Sequence, residues 1–399
     1  MADPLNVLHT IGLDVLYPIV RCEIRFSSII NIERLKEAVK NIGVIIPEIF
    51  SYYQVQDNTF VSLPHNPDTI VTQNQDFSED EARHLDFLKE PQLKIIVSGN
   101  KVVVFISHIL TDGAGAKQFL YLLAACYNQR QLPPGVENHT DIDQIKSLLG
   151  STKNIMNPQA DHPKEALSLP KLQNSKSVGY EVIESQLTKS QVMKLHDKTR
   201  QIQVTLNDAL MAAFGKTIQQ YCGVPDIALA CPTDMRQFLT EQAAKELRVQ
   251  NMTARYNFDI VSPATEDVLL VVKKIHNQMK KLKESKQFLE SIRSLIQEVD
   301  KGAYIGDLQK EVEQNYHVRE IAYTNFGIIN ATKLKFVGLD IEDCFMTGSF
   351  RRMPMYQAAI STFNGKMTLA ANVIGSGQER QFGKAILNHF KLMLVGLTY

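Results

Sequence analysis

Ser107-His108-Ile109-Leu110-Thr111-Asp112-Gly113-Ala114-Gly115 follows directly on the apolar run Val102-Val103-Val104-Phe105-Ile106. A run apolar at every position reads as a strand covered on both faces, and so as a central strand of a sheet. Leu93 to Val97 and the dipeptide Gly99-Asn100 precede it and complete a β-hairpin. Downstream, Phe119, Leu120, Leu123, Ala124 and Tyr127 recur at helical spacing. A histidine thus leaves the end of a buried strand, and an acid and two glycines follow before a helix begins. Imidazole titrates near pH 6.5, so it can take a proton from a hydroxyl or an amine close to neutrality. Gly113 and Gly115 suit the tight backbone path of a strand-to-helix reversal. Spacing alone fits equally well a hydrogen-bonded loop histidine with Asp112 as a helix cap.

The surrounding sequence mixes strands and helices in both halves. Val20, Cys22, Ile24 and Phe26 alternate with Arg21, Glu23 and Arg25, which predicts a half-buried strand. Asn31 is placed to cap a helix carrying Ile32, Leu35, Val39 and Ile42. Between Gly150 and Val178 periodicity disappears and Pro158, Pro163 and Pro170 fall close together, as in an interdomain linker. The pattern resumes with a strand over Val178 to Ser185, a capping box at Thr188 and Gln191, and a helix opening at Thr205-Leu206-Asn207-Asp208. Ala358 to Phe363, Asn364-Gly365 and Lys366 to Val373 give a second hairpin. A last helix turns Phe382, Ile386, Phe390, Met393 and Leu397 toward a core. The expected organisation is an N-terminal lobe at 1–155, a linker at 156–177 and a C-terminal lobe at 178–399.

Bulk properties exclude several classes. The 399 residues suit two domains, and Lys plus Arg (43) balance Asp plus Glu (43), so no nucleic-acid partner is indicated. Cys22, Cys126, Cys222, Cys231 and Cys344 are scattered, without CxxC spacing, and read as buried thiols of a reducing compartment. No metal site is expected, because the remaining histidines lack ligand spacing. MADPLNVLHTIGLDVLYPIV does not read as a signal peptide, and no apolar stretch reaches the roughly 18 residues of a membrane span. A cytoplasmic protein is expected.

HILTDG resembles the HxxxDG motif of acyltransferases related to chloramphenicol acetyltransferase, a superfamily that includes condensation domains, alcohol acetyltransferases and polyketide-associated acyltransferases. Further segments follow in the superfamily's order. INIERLKEAVKNIGVIIPEI is similar to the first helix, and PQLKIIVSGNKVVVFISHILTDGAGAKQFL to the hairpin, motif and helix. TLNDALMAAFG, CPTDMRQFL, YTNFGII and the terminal NGK hairpin resemble segments of the second half. Two features depart from it: Ser107 stands where peptide condensation domains carry another histidine, and GSFRRMPMYQ occupies the region of the plant enzymes' DFGWG.

The resemblance implies an α/β fold of mixed sheets: two chloramphenicol-acetyltransferase-like lobes forming a pseudo-dimer, with a tunnel at their interface. It implies acyl transfer from coenzyme A to a hydroxyl or amine of a small molecule, in secondary metabolism, with His108 as general base and no acyl-enzyme. No bound cofactor is implied; acyl-coenzyme A is a cosubstrate. Asp112 and Gly113 complete the motif, and Asp112 is implied to form a structural ion pair, with Arg236 as partner, rather than a charge relay. Ser361, Thr362 and Asn325 are candidates for holding the oxyanion, beside the reading that they only satisfy sheet edges. Arg351 and Arg352 are candidates for the phosphates of coenzyme A or for an acidic carrier protein. So is the helix face of Lys273, Lys274, Lys280, Lys281, Lys283 and Lys286, beside the reading of a solvated face. The alternatives are an acyl or peptidyl carrier protein as donor in trans, and a catalytically silent binding protein.

Overall fold

The hairpin around Gly99-Asn100 lies at the heart of the first of two mixed sheets in the computed structural model, which describes residues 4–13, 17–152, 163, 165–172, 178–315 and 318–399. In chain order the first half contributes α1 (Pro4–Val7), β1 (Ile19–Phe26), α2 (Ile32–Ile42), β2 (Ser51–Gln54) and β3 (Thr59–Ser62). It continues with α3 (Pro67–Ile70), β4 (Val71–Gln73), β5 (Leu93–Ser98), β6 (Lys101–Ser107), α4 (Gly113–Gln129) and α5 (Asp143–Ser151). The second half opens with β7 (Gly179–Leu187), α6 (Lys189–Gln201), α7 (Leu206–Cys222), β8 (Asp226–Asp234), β9 (Thr253–Val261) and α8 (Val268–Glu284). There follow α9 (Glu290–Asp300), α10 (Ile305–Asn315), β10 (Ile321–Ile329), β11 (Ile341–Thr347) and β12 (Arg351–Arg352), then β13 (Tyr356–Phe363), β14 (Lys366–Gly375) and α11 (Gly377–Gly396).

The first sheet has the order β11-β1-β6-β5-β4, antiparallel except for the parallel β4–β5 pair. The apolar β6 is central, as its composition requires, and α2 and α4 cover one face through Leu35, Val39, Ile42, Phe119, Leu120 and Leu123. The second sheet runs β10-β13-β14-β12, with β7 also paired to β14. Its core is built with α7 and α11, and Phe214 packs on Phe390 at 5.4 Å between ring centroids. Asn364 and Gly365 both take positive φ (49° and 81°), the turn that lets β13 and β14 close in two residues. Capping boxes at Thr188–Gln191 and Thr205–Asp208 start α6 and α7.

The two halves also exchange segments that local patterning does not encode. β11, from the C-terminal half of the chain, adds a strand to the first sheet, its Cys22↔Met346 and Ile24↔Cys344 pairings lying beside β1. In return Leu5, Val7, Leu8 and Ile11 of the N-terminal segment are buried in the second core, where α1 packs against α9 and α10. Each lobe therefore holds a piece of the other's chain. Most of the expected linker (156–162, 164 and 173–177) lies outside the described residues, and Leu167 and Leu169 are buried in the second core. The expected half-buried β1 is covered on both faces instead. Arg21 is fully buried and its Nη2 bonds Glu23 (2.6 Å) and Glu79 (2.5 Å), so paired charge replaces solvent on its polar face.

Candidate active site

The strand β6 ends at Ser107, and the chain makes one tight turn in which Leu110 N and Thr111 N donate to the Ser107 carbonyl at 3.1 and 3.2 Å. Ile109 and Leu110 are buried by this turn, which turns His108 out to the lobe interface. Its main chain is held on both sides: His108 N donates to Pro18 O (2.9 Å), and Asn251 Nδ2 donates to His108 O (2.8 Å) and to Ile109 O (2.7 Å). A cavity of about 280 Å³ opens between the halves, walled by His9, His108, Gly113 and Lys117 from the first and by Thr253, Asn325 and Arg351, among others, from the second. Nδ1 of His108 is buried and makes no hydrogen bond of good geometry among the described residues, which leaves Nε2 as the nitrogen able to meet a substrate. Burial disfavours the imidazolium and sets His108 below its ordinary value, outweighing its own main chain, the Asp112 charge and Asn251, which act upward. A base that stays neutral at neutral pH is the form able to accept a proton.

Asp112 does not reach the cavity. It caps α4, Oδ1 accepting from Gly115 N at 2.8 Å, and both its oxygens accept from Arg236 Nη1 at 3.1 and 3.0 Å. Oδ2 also accepts from Met252 N (2.7 Å) and from Thr253 Oγ1 (3.1 Å). Burial alone would raise this carboxyl, but Arg236 and the N–H donors overcome it and hold Asp112 below its ordinary value. Arg236 Nη2 in turn donates to the carbonyls of Arg248 (2.9 Å) and Gln250 (2.8 Å), so the pair ties the motif turn to the segment 248–253 of the second half. Asp234 shares Arg236 at 2.9 Å; burial first, then the neighbouring Asp112 charge, pushes its carboxyl up.

The motif glycines are needed for space rather than for positive φ. A Cβ on Gly115 would strike Thr111 Oγ1 and crowd the Arg248 carbonyl, while one on Gly113 would strike the Phe326 ring. Lys117, one helical turn after Gly113, donates to Phe326 O at 2.6 Å, and burial lowers its pKa.

The remaining sequence candidates are dispersed. Asn325 lines the cavity, with Nδ2 donating to Asn207 Oδ1 (3.0 Å) and Oδ1 accepting from Gly327 N (2.9 Å). Ser361 is buried between β13 and β11, where its Oγ accepts from Met346 N at 3.2 Å, and neither it nor Thr362 lines the cavity. Arg351 and Arg352 are adjacent on a strand and face opposite sides. Arg351 is buried on the cavity wall, Nη1 donating to Arg319 O at 2.8 Å, whereas Arg352 is exposed beside a separate depression. They cannot grip one phosphate together. The lysines of α8 lie on its exposed face, outside the cavity wall. His9 and Asn251 belong to no motif, and only the fold brings them to His108.

No protein-family model matches the chain, and no curated protein matches it in sequence. Solved structures do. Polyketide synthase associated protein 5 from Mycobacterium tuberculosis superposes with a TM-score of 0.70 at 14% identity, over 100% of this chain and 97% of its own. The first condensation domain of the calcium-dependent antibiotic synthetase gives 0.68 at 12% identity, over 100% and 97%. TRI3 trichothecene 15-O-acetyltransferase from Fusarium sporotrichioides gives 0.65 at 12% identity, over 99% and 94%. At such identities the likeness establishes the architecture.

Proposed function

We propose that this chain, which has the two-lobed α/β fold of the chloramphenicol-acetyltransferase and condensation-domain superfamily, moves an acyl group from a thioester to a hydroxyl or amine of a small molecule. The observation that carries this reading is an anchored histidine on the wall of the interface cavity, its turn locked by the Asp112–Arg236 pair. In the step, Nε2 of His108 accepts the acceptor's proton as its oxygen or nitrogen attacks the thioester carbonyl. The carbon–sulfur bond then breaks, and the imidazolium returns the proton to the departing thiolate. A general base contributes about 10²–10⁴ in rate, so positioning in the cavity and an oxyanion donor supply the remainder. Asn325 is the proposed donor, because among the sequence candidates it is the one on the cavity wall.

Acyl-coenzyme A is the proposed donor, and Arg351 brings a cationic side chain to the cavity wall. A thioester carried on an acyl carrier protein is the second reading, favoured by likeness to a polyketide synthase associated protein and to condensation domains. A cavity near 280 Å³ lies at the small end of ligand pockets, so short acyl chains should be used before long ones. Free-thiol release is measured with acetyl- to octanoyl-coenzyme A and with the same acyl groups on carrier protein, each with mixed alcohols and amines. Acceptor-dependent release from coenzyme A, strongest for short chains, supports the reading. Release from carrier protein alone selects the second donor, and release from neither, with folded protein, contradicts transfer.

A further inference from the structure

We propose that His9 is a positioning residue for the reaction: its ring is the platform that fixes the imidazole of His108 and closes one face of it against water. The two rings stack with centroids 4.0 Å apart and planes 18° from parallel, and both line the interface cavity. The idea rests on the acyl-transfer reading for its catalytic consequence, but its physical content is a contact between two side chains.

His9 is held as rigidly as a motif residue. It follows α1, with His9 N donating to Asn6 O (2.9 Å) and Thr10 N to Val7 O (3.1 Å), while Leu5, Val7, Leu8 and Ile11 anchor the segment in the second core. Gln309 Nε2 of α10 donates to Thr10 Oγ1 at 3.0 Å. Asn251 then links the two rings' supports. Its Nδ2 reaches Asn6 Oδ1 (3.3 Å) as well as the carbonyls of His108 and Ile109, so one amide ties the platform to the turn it supports. The platform is therefore attached to the second lobe while the histidine it covers belongs to the first.

Electrostatics gives the contact a chemical effect. Two imidazoles at this separation cannot both be protonated readily. Burial first, then the neighbouring His108, holds His9 well below its ordinary value, so His9 stays neutral while His108 titrates. A neutral ring on one face of His108 removes water without adding charge, which favours the unprotonated base. Among the described residues, the other charged groups around the pair are Asp112 behind the turn, Lys117 of α4, Asp234 and Arg255 of the β8–β9 pair, and Arg319 and Arg351 across the cavity.

His9→Phe keeps an aromatic platform, whereas His9→Ala removes it and admits water; His9→Gln serves as a second open variant should Ala fail to fold. The titration of the His108 imidazole is followed by carbon-13 and nitrogen-15 NMR of labelled full-length protein, beside the pH profile of kcat/KM and a thermal melt. In His9→Ala and His9→Gln the His108 midpoint should rise toward 6.5, and kcat/KM at neutral pH should fall about 10- to 100-fold, as for a displaced catalytic group. In His9→Phe both should stay near wild type. An unchanged His108 titration in the open variants overturns the proposal, even if they melt lower, because a merely structural role would move only the melt. A His9→Phe protein as damaged as His9→Ala also overturns it, since a ring nitrogen and not the stack would then matter. The titration needs no turnover, so it stands apart from the transfer reading, which fails separately if His108→Ala retains full activity.

Discussion

Replacing Asp112 by alanine separates a structural acid from a catalytic one. The side chain is fully buried and accepts five hydrogen bonds, from Gly115 N, Met252 N, Thr253 Oγ1 and twice from Arg236 Nη1. Removing one member of a buried ion pair costs about 3–5 kcal/mol. Here Arg236 keeps Asp234 at 2.9 Å, so the lower end of that range applies. The lost cap of α4 adds about 1 kcal/mol, for a total of about 4 kcal/mol. Scaling the usual unfolding entropy per residue to this chain gives a melting point lower by roughly 5 °C. The protein has no tryptophan, so urea unfolding is followed by far-ultraviolet circular dichroism. Asp112→Asn keeps an oxygen for Gly115 N and should lose about half as much. Combining Asp112→Ala with Arg236→Met should cost less than the sum of the two, because they remove one interaction. The sign of the pH dependence follows from the depressed carboxyl: its stabilisation is present above the unfolded value near 3.9 and is lost as pH falls through the folded one. The gap between wild type and Asp112→Asn should thus narrow in acid. An Asp112→Ala protein that is inactive yet as stable as wild type would overturn the structural role and give the carboxylate a part in the chemistry.

Gly115→Ala should destabilise more than Gly113→Ala, because its Cβ meets Thr111 and main chain whereas Gly113 faces a ring that can swing; comparative urea midpoints check the order. The acid limb of kcat/KM should lie below pH 6.5, since burial lowers the base and activity is lost only as pH falls through that lowered value; a limb above 6.5 contradicts the burial argument. Ser361→Ala should cost about 1 kcal/mol of stability and leave kcat unchanged, while Asn325→Ala should lower kcat by about 10²-fold with little effect on the melt. Equal kcat losses at both positions would remove Asn325 as the oxyanion donor.

The elements were legible where local chemistry dictates them. Val102 to Ile106 is apolar throughout and lies centrally in its sheet, Asn364-Gly365 makes the tight turn, and Thr188 with Gln191 caps α6. The pairing of distant elements was not legible, because it depends on surfaces rather than periodicity. Nothing in Ile341 to Thr347 says that it joins the sheet of β1, and nothing in Pro4 to Ile11 says that it packs into the opposite core. The second of these exchanges places the segment that carries His9, whose ring stacks on His108. His108, Asp112 and Arg236 could be named because a short motif and a short strand end hold them. That Arg351 and Arg352 face opposite sides was not legible, because it follows from the pairing of their short strand with β14.

In the proposed reaction His108 takes the proton of the attacking acceptor. Acceptor-dependent thiol release is measured under saturating thioester for wild type, His108→Ala and His108→Gln, with melting curves recorded on the same samples. A fall of about 10²–10⁴ in kcat is expected for both variants, with folded proteins that still bind the donor. Rates within a few-fold of wild type would mean that another group, or none, serves as the base.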